Sequence, residues 1–296
     1  MLVSQAKYTK IYTALSPLKQ PLGKPKVMLI DHGLYEYGYF NACFLENMMS
    51  LMVWALSKGY TPQIDLKDRG DGWTNWSTFF QQPFTIPNNS VYTHNNSIAQ
   101  GPWHPQFYTP YRHLDLRLWC KVYDKLVRLN KETQKYIEDE YKSLFLNNSR
   151  HLGVICRGTD YIFLKPKGHP VQPTVGQVIG RAKELMELFR LDKIYLATEE
   201  LSIFNEFNKV FPGQVIVNKR QYYDVIFNTK SMTHIYQVQF DRENDIYLKG
   251  LEYLSSLQLL SRCDVLLGGN CGGACAALYM NNMKYEHVEL FNLGLY

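Results

Sequence analysis

From residue 151 onward, short apolar runs alternate with longer stretches whose apolar residues recur every three or four positions. HLGVIC (151–156), KIYLAT (193–198), QVIVNK (214–219) and DVLLGG (264–269) are too short for helices and read as buried strands. Between them lie TVGQVIGRAKELMELFR, apolar at Val178, Ile179, Ala182, Leu185, Met186 and Phe189, then LSIFNEFNKVFPG, which Pro212 and Gly213 stop, then IYLKGLEYLSSLQLLSRC. CGGACAALYMNN follows the last strand as a further helix. Strands joined by helices must cross over and lie parallel. The order therefore predicts an α/β fold, with a doubly wound, Rossmann-like domain over residues 149–296.

The first half begins the same way. After a Pro/Lys-rich tether, taken as residues 1–24, VMLID (27–31) reads as a strand and HGLYEYGYFN as a loop. ACFLENMMSLMVWALSKGY reads as a helix ended by Gly59, and TPQIDL as a second strand. Residues 67–110 are irregular and rich in aromatics, and a charged helical stretch over 113–146 divides near Leu129-Asn130. This predicts a second α/β domain over residues 25–148.

The totals narrow the partners. A length of 296 residues, 46% hydrophobic and 20% charged, describes an ordinary folded chain. The net charge of +5 comes without any block of five basic residues, so nucleic acid is not an expected partner, whereas an anionic substrate or a peripheral membrane contact is compatible. No apolar run reaches the length of a membrane span, and the N-terminus lacks the apolar core of a secretory signal, so a cytoplasmic location is expected. The six cysteines form no zinc-type set and read as reduced thiols, with neither metal nor cofactor expected.

Ligands of open α/β sheets bind beyond the carboxyl ends of the strands. Three predicted strand ends in the second half carry unusual residues: Arg157-Gly158-Thr159-Asp160, Thr198-Glu199-Glu200, and Gly268-Gly269-Asn270-Cys271-Gly272-Gly273. Arg157 suits two-pronged binding of a phosphate, or an ion pair with Asp160 or another loop carboxylate. The glycines before a helix allow close approach of a phosphate to free N–H groups, or a tight turn alone. Glu199 and Glu200 suit ribose hydroxyls or base N–H groups, or the start of a helix. His169 suits a pyrophosphate or an ordinary surface position. The pattern is neither G-x-G-x-x-G after a first strand nor a Gly-Lys-Ser/Thr loop, which disfavours nicotinamide and ATP chemistry. Together these residues predict a nucleotide-diphosphate site in a two-Rossmann nucleotide-sugar transferase. On the acceptor side, Asp31, His32 and Glu36 lie near a strand end, and Tyr35, Tyr37, Trp73, Trp76 and Phe80 offer stacking faces. Trp76 and Phe80, four apart, could equally be core residues on one helix face.

GVICRGTDY, the following GHP, KIYLATEE, KGLEYLSSLQLLSRCDVLLGGNCGGACAALYM and WTNWSTFFQQPF together resemble motifs of a fucosyltransferase superfamily. It comprises the α1,6-fucosyltransferases, nodulation-factor fucosyltransferases and protein O-fucosyltransferases, and the similarity is strongest to bacterial surface-polysaccharide members. The resemblance covers residues 150–282, and more thinly 27–84. It implies a GT-B-type pair of Rossmann-like domains, GDP-fucose bound in the C-terminal half, inversion at the anomeric carbon and no metal. The implied acceptor is a hydroxyl of an O-antigen or capsule glycan, free or lipid-linked, the latter placing the enzyme at the inner face of the membrane. It implies leaving-group stabilisation by Arg157 with the N–H groups at 271–273, and a base among Asp160, Asp31, His32 and Glu36. Ile155 and Gly158 stand where the α1,6 enzymes have a histidine and a second arginine, and Asn270-Cys271-Gly272 replaces a Ser-rich loop. These departures leave the linkage open, and with it another nucleotide-sugar donor or a non-catalytic glycan-binding role.

Overall fold

The computed structural model describes residues 25–31, 40–66, 75–94, 113–145, 148–229, 232 and 234–296, those at 113–115, 159–161 and 229 by their backbone only. The tether, His32, Tyr35, Glu36, Tyr37 and Trp73 lie outside the described residues, as does the side chain of Asp160. The described chain divides into two compact units between Gln134 and Lys135.

In the N-terminal unit, β1 (Lys26–Ile30), β2 (Thr61–Ile64) and β3 (Val91–His94) form a parallel sheet of order β2-β1-β3. Helix α1 (Ala42–Ser57) begins where Asn41 caps it, its side-chain oxygen accepting from the Phe44 N–H at 2.9 Å. The helix is buried almost all round, including Glu46, Asn47 and Ser50, and burial holds the Glu46 carboxyl well above the usual carboxylate range. Strand β3 falls in the stretch read as irregular. It is short and its Val91 and Tyr92 are exposed, so it carries no buried alternation to announce it.

A short turn, α2 (Trp76–Phe79), is fastened to the segment after α3 (His113–Leu126). Gln81 N–H donates to the Arg128 carbonyl, Asn130 N–H to the Phe79 carbonyl, and the Asn130 side chain to the carbonyls of Ser77 and Thr78. Helix α4 (Lys131–Leu144) follows, and the unit boundary falls inside it rather than at 148/149. The difference has a polar cause: Glu138 pairs with Arg262, and Glu140 accepts from the Lys219 N–H at 2.7 Å and from the Ser255 hydroxyl. The helix is thereby bonded to the C-terminal unit.

There, β4 (His151–Ile155), β5 (Lys193–Ala197), β6 (Val215–Ile216), β7 (Val265–Gly269) and β8 (His287–Phe291) form a five-stranded parallel sheet of order β6-β5-β4-β7-β8. The crossovers are α5 (Thr159–Leu164), α6 (Val175–Leu188), α7 (Leu201–Val210), α8 (Asp224–Thr229), α9 (Asp245–Leu260) and α10 (Gly272–Met280). Thr174 and Gln177 close a capping box at the start of α6. The apolar face predicted for that helix, Val178, Ile179, Ala182, Leu185 and Met186, packs on Leu152, Val154, Leu196, Val265 and Leu267 of the sheet. Edge strand β8, half-exposed and carrying Glu289, was not legible as a strand. Cys156, Cys263, Cys271 and Cys275 are buried thiols outside any disulfide.

Candidate functional site

The C-terminal chain leaves β4 for β5 and β6 on one side, then returns to β7 and β8 on the other. The strand order therefore reverses between β4 and β7, the position where open sheets leave a crevice beyond their carboxyl ends. Ile155 is the register partner of Gly268, so Arg157 and the loop Asn270–Gly273 emerge side by side. A Cβ on Gly268 would lie 2.4 Å from Ile155 Cγ2 and 2.5 Å from the Ile155 carbonyl oxygen. One on Gly269 would lie 2.0 Å from Gln172 Oε1, and one on Gly273 2.8 Å from Ile155 Cδ1. At these three positions protein packs closely on protein, which requires glycine there.

Cys271 is the N-cap of α10 and is fully buried. Burial raises its thiol pKa. The Arg157 guanidinium is the largest opposing influence, followed by the N–H groups of Ala274 and Gly273. Arg157 and the N-terminus of α10 thus act on the same point in space, both favouring negative charge there. Gln172, which sequence reasoning missed, braces this loop: its amide donates to the Asn270 carbonyl at 3.0 Å and to the Pro170 carbonyl at 3.2 Å. The glycine loop is so joined to the segment carrying His169, whose half-buried imidazole is held below its ordinary pKa by burial.

Arg157 forms an ion pair with Glu199, from the end of β5, with Nε to Oε1 at 3.5 Å. The same carboxylate oxygen accepts from the Gly158 N–H at 3.0 Å. Arg157 is 23% exposed against 11% for the Glu199 side chain, so the acid is the more deeply set member of the pair. Thr198 is buried, and its hydroxyl accepts from the Glu200 N–H at 3.3 Å. The Glu200 carboxylate accepts from the Ser202 hydroxyl and lies over Gly158, where a Cβ would fall 2.1 Å from its Oε1.

Glu200 does not cap α7 with its side chain. That task falls to Asp224, whose carboxylate accepts from Leu201 N–H at 3.0 Å and Ser202 N–H at 3.1 Å. A separation of 23 residues in the chain hid it from local pattern. Replacing Asp224 with alanine is expected to cost about 0.5–2 kcal/mol, read as a lower urea midpoint with an unchanged slope.

In the N-terminal sheet the order reverses between β1 and β3, and Asp31 and His94 stand at those two carboxyl ends. Asp31 is buried, and its Oδ2 lies 2.9 Å from Nδ1 of His94, whose side chain is 58% exposed. His94 was missed because its strand was read as loop. Trp76 requires a correction. It is fully buried, stacked on Phe80 with ring centroids 4.4 Å apart, and donates Nε1–H to the Gln81 carbonyl at 2.8 Å. It is a core residue and presents no face to a sugar. Among the described residues, no three His, Cys, Asp or Glu side chains are grouped to hold a metal.

No protein-family model matches the sequence, and no curated protein matches it. Solved structures do. The NodZ α-1,6-fucosyltransferase soaked with GDP-fucose aligns with a TM-score of 0.50 at 13% identity, over 87% of this chain and 93% of that one. The fucosyltransferase NodZ from Bradyrhizobium gives 0.51 at 11% identity, over 92% and 96%. The apo form of POFUT1 gives 0.55 at 8% identity, over 91% and 99%. At such identities the likeness is one of fold: this chain has the α/β, GT-B-type fold of these fucosyltransferases.

Proposed function

We propose that this chain is an inverting, metal-independent glycosyltransferase that transfers fucose from GDP-fucose to a glycan hydroxyl. The observation that carries the reading is the placement of Arg157, braced by Glu199, beside the N-terminus of α10 at the reversal point of a sheet shared with fucosyltransferases. Some of those structures hold GDP or GDP-fucose. As the bond from C1 to the phosphate oxygen lengthens, negative charge grows on the β-phosphate, and Arg157 with the N–H groups near 271–273 takes it up. His169 and Asn270 belong to the same donor site in this reading, and Glu199 and Glu200 face the nucleoside. The acceptor is assigned to the N-terminal unit, where Asp31, held by His94, is the described candidate to receive the hydroxyl proton. A surface-polysaccharide acceptor, of the O-antigen or capsule type, follows from the resemblance of the motifs. A cytoplasmic setting fits it; among the described residues no helix is long and apolar enough to cross a membrane.

Gly158 bears on the linkage. Any side chain there displaces the Glu200 carboxylate, so this chain holds a carboxylate where the α1,6 enzymes place a second arginine. Its donor phosphates would rest on one arginine. Titration calorimetry of the purified protein with GDP, GDP-fucose and UDP, without metal, tests the proposal. Binding of both guanine nucleotides but not UDP is expected. A preference for UDP would move the donor assignment, and no nucleotide binding by folded protein would put the glycan-binding reading in its place.

A further inference from the structure

The turn that follows Arg157 is built unlike the rest of its unit. Ile162, Phe163 and Leu164 of α5 are consecutive and exposed, by 40%, 70% and 38%. Elsewhere in this unit, exposed large apolar side chains such as Leu188, Val225 and Val288 stand singly on separate elements, as is normal for a soluble surface. Helix α5 ends at Lys165 in a left-handed conformation, and both Lys165 and Lys167 are exposed. A further apolar strip joins them. The segment 294–296 pairs with 168–171 through Gly168 N–H to the Tyr296 carbonyl, Tyr296 N–H to the His169 carbonyl and Val171 N–H to the Gly294 carbonyl. This antiparallel contact sets exposed Leu295 opposite Pro170, with exposed Leu293 two residues away.

Among the described side chains the charge on this surface has one sign. Residues 162–171 and 292–296 contain no Asp or Glu, and among the described residues neither Lys165 nor Lys167 forms an ion pair. Other faces of the unit neutralise themselves, as Arg181 does with Glu184 and Glu289, and Arg150 with Glu286. An apolar tip ringed by unpaired cations complements an interface that is apolar inside and anionic at its rim. A second copy fits poorly, because a two-fold contact through this patch would set lysine against lysine.

We infer that residues 162–167, at the end of α5 and in the loop after it, with Leu293 and Leu295, form a docking surface for an anionic lipid bilayer. Phe163 enters the headgroup boundary while Lys165 and Lys167 lie at the level of the phosphates, their stems along the apolar side. Because α5 begins two residues after Arg157, docking would hold the donor-strand end of the C-terminal unit at a membrane surface, where a lipid-linked acceptor resides. The contact is small, so binding should be reversible and salt-sensitive.

The test is sedimentation of the full chain with phosphatidylcholine vesicles, with and without phosphatidylglycerol, at low salt. Binding to the anionic vesicles alone is expected, weakening roughly fivefold for each of Lys165→Gln and Lys167→Gln and lost in Phe163→Ser. Far-UV melting verifies that each variant is folded, and GDP titration of the same samples should be unchanged, which separates this inference from the donor assignment. Absence of wild-type binding to anionic vesicles would overturn the inference. So would binding that all three variants retain, or a concentration-dependent dimer that Phe163→Ser abolishes while no vesicle binding occurs.

Discussion

Alanine at position 157 is expected to lower turnover of GDP-fucose by roughly a hundredfold or more, the effect of removing one preorganised donor worth about 3–4 kcal/mol in the transition state. The loss should fall mainly on kcat, because the charge that Arg157 meets is greatest when the leaving group has departed. GDP, which carries the full diphosphate charge, should also bind far more weakly. Lysine should rescue little: it offers a point charge in place of a planar fork and cannot satisfy the Glu199 carboxylate at 3.5 Å and a phosphate together in the same geometry. Steady-state release of GDP, with calorimetry on the same samples, decides the matter. If Arg157→Ala leaves both turnover and GDP affinity at wild-type levels, the donor site is elsewhere. Glu199→Gln offers a companion reading, since it keeps the bond from the Gly158 N–H while removing the charge that orients Arg157.

What the sequence disclosed of this site follows from how parallel sheets are buried. Strands β4, β5 and β7 are covered on both faces, so each is a continuous apolar run whose polar successor stands out. Arg157, Glu199 and the glycine loop were visible for that reason. Strands β3 and β8 lie at edges, so their compositions mix and the runs vanish. Partner choice was hidden for another reason. Glu199 meets Arg157, Gln172 meets Asn270 and His94 meets Asp31 across separations of about forty to a hundred residues, and only the strand order brings them together. The glycines were legible as a requirement but not as to its cause, since the atoms that forbid a Cβ at Gly268 and Gly269 belong to Ile155 and Gln172.

Trp76 marks the sharpest divergence between aromatic composition and aromatic function, and its replacement by alanine is expected to destabilise the N-terminal unit by about 3–5 kcal/mol. The indole is fully buried against Phe80, and Phe40 in turn packs its ring 5.7 Å from Phe79 and 5.6 Å from Phe80. Alanine leaves a void among rings whose backbone is fixed by Asn130 and Arg128, so little collapse can fill it. The Gln81 carbonyl also loses its donor. Phenylalanine should recover most of the loss, falling short by the strength of one hydrogen bond, about 0.5–1.5 kcal/mol. Urea unfolding followed by far-UV circular dichroism measures both. A sugar-stacking tryptophan would behave otherwise: its alanine variant would keep a midpoint within about 0.5 kcal/mol of wild type, as exposed positions do, and the defect would fall on acceptor binding. Because every residue assigned to the donor site lies in the C-terminal unit, GDP affinity of the folded variant should match wild type, leaving the stability loss as the whole effect.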